Sequence, residues 1–130
     1  MKGLLDTSIF IADERRRGVD PDQLPLEASI SIVTIGELLL GVHMASSEPV
    51  RAERLATLRL VESEFVPLPI DDAVAAAFAE LTAGARRAGR RPQTRDSWIA
   101  ATAYAHGVVL YTKDADFDAF PGLEVVLVGA

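Results

Sequence analysis

The residues best able to do chemistry in this chain are five carboxylates, Asp6, Glu37, Asp96, Asp114 and Asp116. Carboxylates brought within a few ångströms of one another repel, and at neutral pH at least one would take up a proton. Helix N-termini offset this by only roughly 0.3–1 kcal/mol each. Divalent cations resolve the repulsion directly. An all-oxygen donor set, with no cysteine and with His43 and His106 remote in sequence from the acids, favours Mg²⁺ or Mn²⁺ over zinc. Each acid also has a plainer reading: Asp96 as a helix N-cap, Asp6 as a turn residue and Asp114 as the head of an Asx turn. Glu37 resists such a reading, because it stands between Gly36 and Leu38-Leu39-Leu40, where a solvated charge is not expected.

The acids matter only if the fold collects them. Gly3-Leu4-Leu5 predicts a short buried strand that ends at Asp6. Ser8 to Arg17 reads as a helix, and Gly18 to Leu26, with Pro21 and Pro25, as loop. Ala28 to Ile32 alternates and is β-branched, which predicts a strand. Thr34 to Met44 is helical, with Ile35, Leu38, Leu39 and Val42 on one stripe. A further helix is expected from about Ser46 to Glu62, then a short strand at Phe65 to Leu68. Pro67 cannot donate to a ladder and puts that strand at the sheet edge. Asp71 and Asp72 open a helix that ends near Gly89, and Arg90 to Thr94 is a basic loop. Asp96 to His106 forms a helix that Gly107 stops. Val108 to Tyr111 and Val125 to Val128 are the last strands.

Strands that alternate with helices, two of them apolar throughout, predict an α/β fold: a mainly parallel sheet of four to five strands covered by helices on both faces. The C-terminal edge of such a sheet gathers strand ends and helix beginnings, and ligands bind there. Asp6, Glu37, Asp96, Asp114 and Asp116 are all directed to that edge. Asp96 shares a stripe with Ile99, Ala100 and Ala103, so its carboxylate sits at a buried margin and needs a partner.

The chain's 130 residues fit one domain, 1–130. Hydrophobic residues at 49% and charged residues at 25% indicate a globular protein rather than a disordered one. No apolar run approaches the ~18 residues of a membrane span, and the acid at position 6 interrupts any secretory signal, so a cytoplasmic protein is expected. The absence of cysteine excludes disulfides, thiolate metal sites and cysteine nucleophiles. The net charge of −6 argues against a general nucleic-acid coat. Yet Arg86, Arg87, Arg90, Arg91 and Arg95 are clustered at the approach to Asp96 and form a candidate phosphate-steering patch. Arg15, Arg16 and Arg17 read as a solvated helix end.

Four segments resemble the PIN-domain nucleases, and at this length most resemble the VapC toxins of bacterial toxin–antitoxin pairs. They are Leu5-Asp6-Thr7-Ser8; Thr34-Ile35-Gly36-Glu37-Leu38 with Gly41; Asp96-Ser97-Trp98-Ile99-Ala100-Ala101; and Tyr111-Thr112-Lys113-Asp114-Ala115-Asp116-Phe117. The resemblance implies a PIN-like three-layer α/β/α fold. It implies Asp6, Glu37 and Asp96 as metal-binding carboxylates, with Asp114 at the fourth position and Asp116 in the same motif. Thr7, Ser8 and Thr112 would then orient carboxylates or contact phosphate. It further implies Mg²⁺-dependent endoribonuclease activity, with Mn²⁺ able to substitute, a homodimer, and inhibition by a cognate VapB-type antitoxin.

Two other classes compete. Haloacid-dehalogenase enzymes also place acids at such a rim, but need a second Asp two residues after the first, where this chain has Ser8. Receiver domains need an acidic pair at the first strand and an acid after the third, and Asp6 stands alone. A non-catalytic module that kept the fold would be expected to have lost an acid. A dinucleotide-binding domain fails for want of a glycine-rich turn after the first strand.

Overall fold

Two neighbouring leucines decide the architecture. Side chains alternate across a strand, and in β1 (Lys2–Leu5) both Leu4 and Leu5 are buried. Leu4 enters one core with Leu81, Ile99, Leu110 and Phe117. Leu5 enters another with Ile9, Ile30, Leu58 and Tyr111. A strand buried on both faces requires helices above and below it. The computed structural model of the chain describes residues 2–15 and 17–129, so Arg16 lies outside the described residues.

The remaining elements are α1 (Thr7–Glu14), β2 (Glu27–Ser29), α2 (Ile32–His43), α3 (Glu48–Glu64), α4 (Asp72–Arg87), α5 (Thr94–Ala105), β3 (Val109–Thr112) and β4 (Val125–Leu127). Short 3₁₀ turns occupy Pro21–Gln23 and Ala115–Ala119. The four strands are all parallel, in the order β2-β1-β3-β4. Helices α1, α2 and α3 contribute to the Leu5 core, and α4 and α5 to the Leu4 core. This is the expected three-layer α/β/α arrangement with four strands. Phe78 and Trp98 stack with centroids 3.9 Å apart and join α4 to α5, so Trp98 serves packing.

Three expectations need correction. Phe65 to Leu68 is not a strand; it makes one parallel bridge, between Ser31 and Leu68. Leu68 donates to the Ile30 carbonyl at 2.8 Å and accepts from the Ile32 N–H at 2.9 Å, and Pro67 offers no donor to extend the pairing. The second strand stops at Ser29 rather than Ile32, because the Ser31 hydroxyl caps α2 by accepting from the Val33 N–H at 3.1 Å. Glu37 therefore falls in the second turn of its helix, not the first. The last helix begins at Thr94, two residues before Asp96. Gly107 ends it with φ +64°, as its position implied.

Residues Leu39 and Leu40 are exposed on α2, while Leu38 is buried. One helix face cannot bury the whole leucine run.

In β1, Gly3 lies between Ala28 and Val109, under the buried ring of Tyr111. A Cβ at this position would sit 2.7 Å from Tyr111 Cδ1 and 2.8 Å from Pro25 Cγ. Gly3→Ala is therefore expected to destabilise the fold by about 1–3 kcal/mol, read as a lower midpoint of urea unfolding.

Candidate active site

The site starts where β1 ends. The Asp6 N–H donates to the Tyr111 carbonyl at 2.9 Å, which carries strand pairing one residue past Leu5 and sets Asp6 beside Thr112. The Thr112 hydroxyl donates to Asp6 Oδ2 at 2.8 Å. Asp6 also caps α1, accepting from the Ser8 N–H at 3.4 Å. Its proton goes to Asp6, so the Thr112 hydroxyl can only accept from its other neighbours. It accepts from the Asp114 N–H at 2.9 Å and from the Ser8 hydroxyl at 3.2 Å. Ser8 in turn accepts from the Lys113 N–H at 3.0 Å. Both Thr112 lone pairs and its one proton are thus in use.

A second hydroxyl chain holds Glu37. The Thr7 hydroxyl donates to Glu37 Oε1 at 2.8 Å and stands 3.0 Å from the Thr34 hydroxyl. Thr34 must then be the donor of that pair, since the Thr7 proton is committed. Glu37 Oε2 lies 3.6 Å from Arg95 Nε.

Asp96 sits in the first turn of α5 but does not cap it. The capping position belongs to Gln93, whose side chain makes no capping bond and instead accepts from Arg95 Nε at 3.1 Å. The Asp96 carboxylate is pushed up to about 6, first by burial and then by the negative charges of Asp6, Asp114 and Glu37, while Arg95 pulls it down. Asp6 is raised by burial, against the hydrogen bonds from Ser8 and Thr112. Glu37 is raised by burial and by Asp6, against its Thr7 hydrogen bond and Arg95. Four carboxylates from separate parts of the chain thus share one electrostatic neighbourhood with one guanidinium.

Asp114 and Asp116 separate in the structure. Asp114 is half-buried, acts on Asp96, and holds the 3₁₀ turn by accepting from the Asp116 N–H at 2.9 Å. Asp116 is exposed and lines a cleft of about 250 Å³ with Arg90, Arg91, Pro92, Gln93, Asp96 and Ala119. Arg90 is tied to Asp118 at 2.7 Å. Arg86 and Arg87 stand in the last turn of α4 and line neither this cleft nor the one on the other side.

That second cleft, of about 210 Å³, is bordered by Ile11, Glu14, Arg15, Glu37, Gly41 and Arg54 among others. Arg15 caps the end of α1 and is exposed, as its sequence signature implies, and it also borders this cleft. Arg54 carried no local signal. It reaches the site because α3 packs on α2, where its Nη1 donates to the Gly41 carbonyl at 2.7 Å.

The donors fit a hydrated cation. Among the described residues no three His, Cys, Asp or Glu side chains close into a ready cation cage. Mg²⁺ does not demand one, since it keeps several waters and is commonly bound through one or two carboxylates. The donors are hard oxygens, three of them with raised proton affinity.

Comparison with known proteins agrees with this geometry. A PIN domain model matches residues 3–123. Ribonuclease VapC4 of Mycobacterium tuberculosis is 46% identical over 128 residues, 98% of this chain and 97% of that protein. Ribonuclease VapC1 of Rickettsia felis is 35% identical over 98% of this chain and 96% of its own length. Among solved structures, VapBC-5 of Mycobacterium tuberculosis, from the VapBC family of toxin–antitoxin systems, superposes with a TM-score of 0.87 at 38% identity. The match covers 96% of this chain and 97% of that one. The chain belongs to the PIN-domain family and, within it, to the VapC toxins. The receiver and haloacid-dehalogenase alternatives are set aside by that assignment.

Two outcomes are expected. Thr112→Val removes a donor from Asp6 and an acceptor from Asp114, and should cost about 1–3 kcal/mol in urea unfolding, with Thr112→Ser restoring most of it. Asp96 binds its proton more tightly in the folded chain than at its ordinary value of 3.8, so its ionised form opposes folding above about pH 6. Asp96→Asn should therefore stabilise the metal-free protein at pH 7 by roughly 1–2 kcal/mol, a figure already reduced for partial exposure. The gain should fade as the pH is lowered towards 4, as thermal unfolding across that range would show.

Proposed function

We propose that the chain acts, as one domain, as a divalent-metal-dependent endoribonuclease toxin with Mg²⁺ its natural ion, Mn²⁺ a substitute, and a VapB-type antitoxin its inhibitor. The observation that carries this reading is the group of Asp6, Glu37, Asp96 and Asp114, whose mutual repulsion a single half-exposed arginine cannot neutralise. The names of relatives, ribonucleases VapC4 and VapC5, support RNA as the substrate class.

Asp6, Glu37, Asp96 and Asp114 would hold the ion, one or two of them directly and the rest through its waters, with Asp114 favoured over Asp116 because it is half-buried and acts on Asp96 while Asp116 is exposed. A bound ion supplies an activated water and charge neutralisation at phosphorus. The protein's own groups do the rest. Thr112 and Ser8 hold the Asp6 carboxylate in place, and Thr7 does the same for Glu37. The arginines of the two clefts, Arg90 and Arg91 on one side and Arg15 and Arg54 on the other, attract a phosphodiester chain across the carboxylates. Arg95, Arg86 and Arg87 add to that field. Exposed Leu39 and Leu40 on α2 support a protein-binding face, for an antitoxin or for the second copy of a homodimer.

The test is cleavage of single-stranded RNA with Mg²⁺ or Mn²⁺. Asp6→Asn and Asp96→Asn should each lower the rate by at least roughly a hundredfold, the upper end of what losing an outer partner of a metal ligand costs. EDTA should abolish cleavage, and full activity in EDTA would refute the metal requirement. Expression without an antitoxin should slow growth, and the Asp6→Asn chain should not.

A further inference from the structure

Arg95 is, among the described residues, the one cation in an ion pair with any of the four clustered carboxylates. It precedes Asp96 in the first turn of α5. Its Nε points at two acceptors, Gln93 Oε1 at 3.1 Å and Glu37 Oε2 at 3.6 Å. The Gln93 side chain makes this contact and no capping bond. The Nη groups of Arg95 make no hydrogen bond among the described residues, which leaves four donors uncommitted. The side chain is 52% exposed, so the Glu37 contact is weak and open to exchange. A guanidinium with free paired donors is suited to a non-bridging phosphate oxygen.

We propose that Arg95 is a tethered cation that competes with the divalent ion for Glu37 and, once displaced, takes a backbone phosphate of the RNA. This rests on the metal-dependent reading above. Arg95 and a divalent ion compensate the same charge, so each weakens the other's hold on Glu37. Freed from Glu37 and still held by Gln93, the guanidinium remains beside the carboxylates, at the edge of the cleft lined by Arg90 and Arg91.

The experiment measures Mn²⁺ binding by paramagnetic resonance in the wild type, Arg95→Gln and Arg95→Lys, without RNA. Arg95→Gln should bind Mn²⁺ roughly threefold to tenfold more tightly, and Arg95→Lys should stay near wild type because it keeps the charge. In a second arm, oligouridylate binding is measured against salt in the cleavage-silent Asp6→Asn background, with Mn²⁺ at a concentration that saturates that variant. Adding Arg95→Gln should reduce the slope of log affinity against log salt by about 0.7, the loss of one phosphate contact on a single strand. Equal or weaker Mn²⁺ binding by Arg95→Gln, or an unchanged salt slope, would overturn the proposal while leaving the metal-dependent reading intact. Absence of Mn²⁺ binding in the wild type would overturn both.

Discussion

The hydrogen bond from Thr112 to Asp6 joins residues 106 positions apart and sets the geometry of everything around it. It exists because β1 and β3 are paired in parallel, with Leu5 opposite Tyr111, so that the next residue of each strand arrives at the same rim. The threonine hydroxyl serves three partners at once: a carboxylate, the backbone of Asp114 and the hydroxyl of Ser8. Through it the start of α1 and the turn after β3 are held as one rigid unit. A valine of the same shape would leave the Asp114 N–H without its acceptor and Asp6 Oδ2 with only the long bond from the Ser8 N–H, which is a costly arrangement for polar groups away from water.

The rim is held together against its own electrostatics. Burial raises the proton affinity of Asp6, Glu37 and Asp96, and like charge adds to it for Glu37 and Asp96. In the absence of a cation, that is a loss of stability retained for what the group can do. The apolar core offsets that loss: Leu4, Ile99, Ala100, Ala103 and Leu110 are completely buried in one cluster. Close packing of alanines in α5 lets that helix lie against the sheet, and it brings Asp96 to the rim rather than to solvent.

Much of this was legible in the sequence. The apolar runs of β1 and β3 announced a sheet covered on both faces, and the acids were readable because topology alone carries strand ends to a common edge. The Asp96 stripe with Ile99, Ala100 and Ala103 told which face of α5 was buried. What failed was local. Phe65 to Leu68 has strand composition, but its pairing partner ends early when Ser31 turns to cap α2. Asp96 looked like a cap because Asp favours that position, yet Gln93, a poor capping residue, took it. Arg54 could not have been found at all, since its place depends on how two helices pack and not on any spacing. The five-arginine cluster was one run in sequence but divides in space, with Arg90, Arg91 and Arg95 at the site and Arg86 and Arg87 on a helix end.

The order of the strands has a consequence for how the molecule is made. The third strand of the chain is inserted between the first and the fourth, so β1 gains its central neighbour only after residues 109–112 exist. Non-local parallel pairing of this kind forms late, because a long loop must close before any contact rewards it. Fragments cut short ahead of Thr112 lack the hydroxyl that holds Asp6 and the turn that carries Asp114, so the rim of four carboxylates is complete only once β3 and the turn after it have been made.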